Sequence, residues 1–149
     1  MDFNPSTALT ELDSRGLLPP EVSAAFLCGS LARGWGNAKS DADVYLVVPE
    51  AWESATATGI HLPLDPEIVP LETIYVGERQ WEVKYWLDRQ VEQVLDKAAW
   101  SRFENDRTEQ RVTRNEQDLM ARVLSCVPIA GDDWITDVRT RIRESAYEA

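Results

Sequence analysis

The chain of 149 residues carries 15 Lys+Arg against 26 Asp+Glu, a formal net charge of −11. That length fits one domain able to bury a core without staples, and a content of 44% hydrophobic and 28% charged residues belongs to an ordinary globular protein rather than a disordered or fibrous one. Duplex binding draws most of its non-specific affinity from phosphate neutralisation by Lys and Arg, so the acidic balance disfavours a general polynucleotide binder.

Cys28 and Cys126 each lie in an apolar stretch without CxxC or Cys/His spacing. The expectation is two buried free thiols in a reducing compartment and no structural zinc. The N-terminus lacks a positive n-region and an apolar h-region, and no apolar run approaches the roughly 18 residues of a candidate membrane span, so the reading is a cytoplasmic protein.

Residues 6–15 read as a short helix, with Leu9 and Leu12 on one face and Gly16 at the stop. After Leu17-Leu18-Pro19-Pro20 comes an apolar run, residues 22–28, of a length that suits a buried strand; it ends at Gly29-Ser30, and a short turn of helix is expected next. Residues 41–48 give the clearest strand, with Val44, Leu46, Val47 and Val48 as β-formers and Pro49 closing the run. Asp41 and Asp43 then project to the same side at its beginning.

Residues 50–69 lack a clean period and read as a long connection with a short helix around 51–57. Residues 71–76 and 80–86 flank Gly77-Glu78-Arg79 as a hairpin. In its second arm Glu82, Lys84 and Trp86 share one face, and Trp81, Val83 and Tyr85 the other. Asp88 is placed to cap a helix carrying Val91, Val94, Leu95, Ala98 and Ala99.

Residues 101–114 are almost all polar, either a solvated helix or a mobile segment. Two amphipathic helices are expected at 115–127 and 133–145, with 128–131 (Pro-Ile-Ala-Gly) as the turn between them. The whole reads as α+β: a small sheet flanked by helices, with a core over 1–100 and a C-terminal helical extension over 101–149 in the same compact unit.

The chemistry concentrates in residues 26–48, where Gly29-Ser30 is followed by ten residues and then Asp41-x-Asp43. A glycine lets backbone approach a phosphate closely, and the Ser hydroxyl and N–H groups at a helix start donate to its oxygens. Two carboxylates on one side of a strand make a hard, oxygen-only ligand set that suits Mg²⁺. Phosphoryl and nucleotidyl transfer are the reactions that use it, through in-line displacement of pyrophosphate. A lone Asp-x-Asp is usually a solvated strand start. Four identities at fixed offsets arise by chance only on the order of 10⁻³ times in a chain of this length.

Gly29-Ser30-x10-Asp41-x-Asp43, with Ala32-Arg33-Gly34 after the serine and Ser40 before the first aspartate, resembles the signature of the DNA polymerase β-type nucleotidyltransferase superfamily. It is most similar to the small bacterial minimal nucleotidyltransferases and their antibiotic-modifying relatives. The likeness is dense over residues 26–48, thinner over 80–86, and architectural elsewhere.

The resemblance implies an α+β nucleotidyltransferase fold, its small sheet mixed, in which Asp41 and Asp43 bind two Mg²⁺ ions and Gly29-Ser30 holds the β- and γ-phosphates of a nucleoside triphosphate. It also implies a third carboxylate on a neighbouring strand, best matched by Glu82 as metal ligand and catalytic base. This chain departs from the family pattern at Lys84, where a second acid sometimes stands. A surface ion pair between Glu82 and Lys84, worth less than about 1 kcal/mol, is the plainer alternative.

Arg33, Lys39 and Ser40 border the same loop. The two cations could meet triphosphate oxygens or be solvated loop charges. Trp35 either stacks on a base or covers the core, and His61, the only histidine, reads as a surface residue.

The functional expectation is a Mg²⁺-dependent nucleotidyltransferase that moves a nucleoside monophosphate, AMP from ATP first among them, onto a hydroxyl of a protein or small molecule and releases pyrophosphate. The alternative is a catalytically weak or inactive nucleotide-binding protein of the same fold, an antitoxin paired with a helical partner. With only a short C-terminal part, either a homodimer or partner protein completes the acceptor site, or the acceptor is large and docks on an open cleft. No membrane or general nucleic-acid partner is expected.

Overall fold

The computed structural model describes residues 3–34, 39–99 and 112–147. Helix α1, Pro5–Ser14, starts one residue earlier than the sequence suggests because Asn4 caps it: the Asn4 side chain accepts from Ser6 N at 3.0 Å, and proline takes the first turn, where its missing N–H costs nothing. Strand β1, Ala24–Cys28, is buried at every position, and β2, Ala42–Val48, at all but Asp43. Burial on both faces explains why both read as apolar runs rather than alternating strands.

The chain continues through β3 (Thr58–His61), β4 (Ile68–Val76), β5 (Arg79–Leu87) and helix α2 (Asp88–Ala98). Then come helix α3 (Arg114–Ser125), β6 (Val127–Ala130) and helix α4 (Asp132–Arg143). The strands form one mixed sheet in the order β3-β4-β5-β2-β1-β6. Its one parallel pairing among the described residues is the central β2–β5; the other neighbours are antiparallel. The architecture is therefore α+β, a six-stranded mixed sheet flanked by helices.

Alternation along the strands divides the core in two. Tyr45, Val47, Phe26 and Trp86 face α2, α3 and α4, where Val94, Leu119, Met120, Val123, Val138 and Ile142 bury against them. Val44, Leu46, Leu27, Val83 and Tyr85 face the other side, under Phe3, Ala8 and Leu12 at the N-terminal end of the chain. Each such fully buried aliphatic or aromatic side chain contributes about 1.5–3 kcal/mol. No helix among the described residues is long and apolar enough to cross a membrane.

Several expectations are corrected here. Residues 51–57 form no helix; the chain runs through them irregularly into β3, an edge strand whose positions are exposed or half-buried and so carry no apolar alternation. Residues 128–130 are not a turn but part of β6, which pairs with β1 beside a register shift at Ala25/Phe26. Pro128 is tolerated there because β6 is an edge strand and needs no donor on its open side. The C-terminal part thus contributes a strand to the sheet as well as helices.

Arg79 belongs to β5 rather than to the hairpin loop, and β4 begins at Ile68. Helix α3 stops at Ser125, two residues short of the expected end, and α4 spans Asp132–Arg143 rather than 133–145. Asp88 is the first residue of α2 and not its cap; its carboxylate accepts from Ser23 Oγ at 2.5 Å and Trp134 Nε1 at 3.0 Å instead. The expectations for residues 101–111 and for Trp35 lie outside the described residues.

Candidate active site

The site lies at the end of β1 and the beginning of β2 and β5, on the face of the sheet covered by α3. Strand period places Asp43 on the same face as Tyr45 and Val47. Parallel pairing adds what period alone does not: Asp43 and Glu82 are register partners across β2–β5, and Cys28 is the partner of Asp43 on the β1 side. Asp41 stands one residue before β2, exposed at the mouth. Gln80 Nε2 donates to both Asp41 Oδ2 and Glu82 Oε1, at 3.5 Å each, so one amide spans the two outer carboxylates.

Gly29 follows β1 directly with φ +79°, a left-handed conformation that glycine adopts without strain. It is also the one residue type that leaves room for its neighbour, because a Cβ there would collide with Asp43 Oδ2. Beyond it Arg33 N donates to Gly29 O at 3.2 Å and Gly34 N to Leu31 O at 3.2 Å, making the expected single turn. Ser30 is exposed in that turn.

The other candidates fall around this centre. Arg33 is exposed, and its Nε donates to Ser125 Oγ at 3.4 Å, at the last residue of α3. Lys39 is exposed and Ser40 half-buried; the Ser40 carbonyl accepts from the buried guanidinium of Arg79, which ties the approach to Asp41 onto β5. His61 is exposed on β3. Lys84 does not pair with Glu82: its Nζ donates to Tyr45 Oη at 3.4 Å, so the ion-pair alternative does not form. Cys28 and Cys126 are both buried and free. Burial pushes the Cys28 thiol up to about 12, against the smaller opposing effect of Arg122 beside it.

Arg122 on α3 is the site residue that the sequence did not single out. Its Nη1 lies 3.2 Å from Asp43 Oδ2, its Nε donates to Asp118 Oδ2 at 2.8 Å, and its guanidinium carbon lies 5.7 Å from the centre of the Tyr45 ring. Asp118 and Arg122 at i,i+4 on an amphipathic helix were the available signal, but such pairs usually lie in solvent.

The donor chemistry fits a divalent cation: three carboxylates, oxygen donors only, from two adjacent strands and the loop entering one of them. As placed, no group of three His, Cys, Asp or Glu side chains among the described residues encloses a cation, and Arg122 takes the Asp43 carboxylate instead. Asp41, Asp43 and Glu82 are the residues that would hold such an ion. Comparison of the chain with known family models and with curated proteins gives no match.

Proposed function

We propose that this chain is a Mg²⁺-dependent nucleotidyltransferase with a nucleotidyltransferase fold. It would transfer a nucleoside monophosphate, with AMP from ATP as the first candidate, to a hydroxyl of a protein or small molecule. The observation that carries the reading is the register pairing of Asp43 with Glu82, with Asp41 beside them and the left-handed Gly29 against the Asp43 carboxylate.

Bound at Asp41, Asp43 and Glu82, Mg²⁺ would supply charge stabilisation for the attacking and leaving oxygens. The chain's own residues do the rest. N–H groups of the Gly29-Ser30 turn and the Ser30 hydroxyl receive the β- and γ-phosphates, and Arg33, Lys39 and Ser40 border that cradle. Glu82 takes the proton of the acceptor hydroxyl as its oxygen bonds to the α-phosphorus. The bond from the α-phosphorus to the bridging oxygen breaks, and the electron pair leaves with pyrophosphate. The buried free thiols Cys28 and Cys126 suit a reducing, cytoplasmic setting.

The short C-terminal part would leave a homodimer or a helical partner to complete the acceptor site. A second reading, a nucleotide-binding protein that acts through its partner without turnover, is favoured by the Arg122–Asp43 ion pair, which neutralises the central carboxylate. Incubation with Mg²⁺ and each labelled triphosphate separates the two. Pyrophosphate release or self-labelling that disappears in Asp41→Asn and Asp43→Asn supports the enzyme. Binding without either, against a panel of hydroxyl acceptors, supports the partner protein.

A further inference from the structure

Arg122 is held by three groups besides Asp43: Asp118, the Tyr45 ring and Cys28, whose Sγ accepts from Nη1 at 3.6 Å. Asp118, one turn earlier on α3, accepts from its Nε at 2.8 Å, and the Tyr45 ring lies 5.7 Å from its guanidinium carbon. These contacts fix the side chain along α3 and leave Nη1 aimed at Asp43 Oδ2, 3.2 Å away. The same Nη1 borders the turn at the end of β1: a Cβ on Gly29 would lie 3.5 Å from it. One guanidinium therefore borders both the carboxylate that would hold a cation and the backbone turn, in contact with that carboxylate, that would hold phosphates. With side-chain exposures of 23% for Arg122 and 21% for Asp43, the pair is partly withdrawn from solvent and only partly screened.

We propose that Arg122 is the resident counter-ion of Asp43, displaced by an incoming divalent cation and received by the triphosphate that comes with it, so that metal and nucleotide bind as one unit. This rests on the reading of Asp43 as a metal ligand. A cation arriving alone meets a carboxylate already neutralised and a fixed positive charge beside it. A cation arriving with a triphosphate brings the anion that takes the guanidinium over, and the Gly29 turn already lies within its reach. The arginine thus opposes free metal and favours the metal–triphosphate complex. Its planar, permanently charged head can move between a carboxylate and a phosphate without a change of protonation.

The experiment uses Mn²⁺ alone, a nonhydrolysable ATP analogue alone, and the two together, with affinities for the full chain read by the Mn²⁺ resonance signal and by calorimetry. Wild type is expected to bind Mn²⁺ weakly and the Mn²⁺–analogue complex more tightly by about tenfold or more, within the usual range of coupling between two ligands. Arg122→Met is expected to bind Mn²⁺ alone about fivefold or more tightly than wild type and the complex less tightly, so that the coupling collapses. Mn²⁺ affinity that is unchanged or weakened in Arg122→Met overturns the proposal.

A second measurement needs no neutral variant to fold. The Arg122 Nε–H resonance, assigned by its loss in Arg122→Lys, is expected to stay in place with Mg²⁺ alone and to move with Mg²⁺ plus analogue. Equal movement in both overturns the proposal. Failure of the underlying reading looks different: if wild type and Asp43→Asn bind the complex equally, or neither binds it, the metal site itself falls and the counter-ion role with it. If Asp43→Asn loses binding while Arg122→Met behaves as wild type, only the counter-ion role falls.

Discussion

Gly29 and Asp43 are in such close contact that the backbone of one defines the space for the side chain of the other. Any Cβ at position 29 would occupy the place of Asp43 Oδ2, at a backbone angle of φ +79°. Gly29→Ala is therefore expected to cost about 1–2 kcal/mol for the left-handed conformation alone, lowering Tm by roughly 2–4 °C per kcal/mol in a chain of this size. It should also abolish binding of the Mn²⁺–triphosphate complex by pushing the carboxylate aside. Gly77→Ala is the control: Gly77 has φ +61° but nothing within 4 Å of its Cβ position, so the backbone penalty appears there and binding survives. Thermal scans and calorimetry on the two variants check the difference.

Lys97 and Glu116 form the most buried ion pair among the described residues, at 2.5 Å with side-chain exposures of 11% and 0%. Glu116 also accepts from Thr113 N at 2.6 Å and so closes the start of α3. Removing the lysine leaves a buried carboxylate without its cation, whereas removing the acid leaves an ammonium that still reaches Pro63 O at 3.2 Å. Lys97→Met is expected to cost about 3–5 kcal/mol and Glu116→Gln clearly less. Urea unfolding of both variants, compared at equal m-value, gives the order.

How much of this was legible in the sequence follows from what side-chain period can and cannot say. Parity along a strand puts Asp41 with Asp43 and Glu82 with Lys84, and the apolar runs ending at Cys28 and Val48 identify two interior strands. Period does not say which strand lies next to which, so the pairing of Asp43 with Glu82 emerges only from the parallel β2–β5 register. Edge strands were lost for the opposite reason. β3 carries Gly59 and His61, β6 carries Pro128, and with one side unpaired neither needs the alternating apolar pattern that a strand reading depends on. Arg122 escaped because an i,i+4 pair on a helix looks alike whether it faces solvent or crosses the end of a sheet.

Alkaline pH should weaken the fold through its buried thiols and phenols. Burial raises the thiol of Cys28 to about 12, raises that of Cys126, and raises the phenols of Tyr45 and Tyr85 above their ordinary value. A group whose folded pKa is raised stabilises the fold fully below its unfolded pKa, and that stability is lost as pH climbs through the folded value. Tm is therefore expected to be flat through neutrality, to fall from about pH 9 as unfolded cysteine ionises, and to fall more steeply above about pH 10 as unfolded tyrosine does. In Cys28→Ala/Cys126→Ala the decline should start about one pH unit later. A Tm profile of the double variant that superimposes on wild type between those values would remove the cysteines from the account.

Glu82 is the sharpest test of turnover, because its surroundings leave it little structural work. It is half-buried, its hydrogen-bond partner is Gln80 at 3.5 Å, and Lys84 is engaged by Tyr45. Glu82→Gln keeps the shape and the contact with Gln80 but cannot accept the acceptor's proton, so kcat is expected to fall about 10²–10³-fold while stability stays within about 0.5 kcal/mol. Lys84→Met loses its contact with Tyr45 and leaves the carboxylates alone, so it should change Tm more than kcat. Steady-state pyrophosphate release by the two variants, with denaturant curves beside it, separates a base from a bystander. Undiminished turnover in Glu82→Gln would assign the proton to another acceptor and leave Asp41 and Asp43 as the catalytic carboxylates.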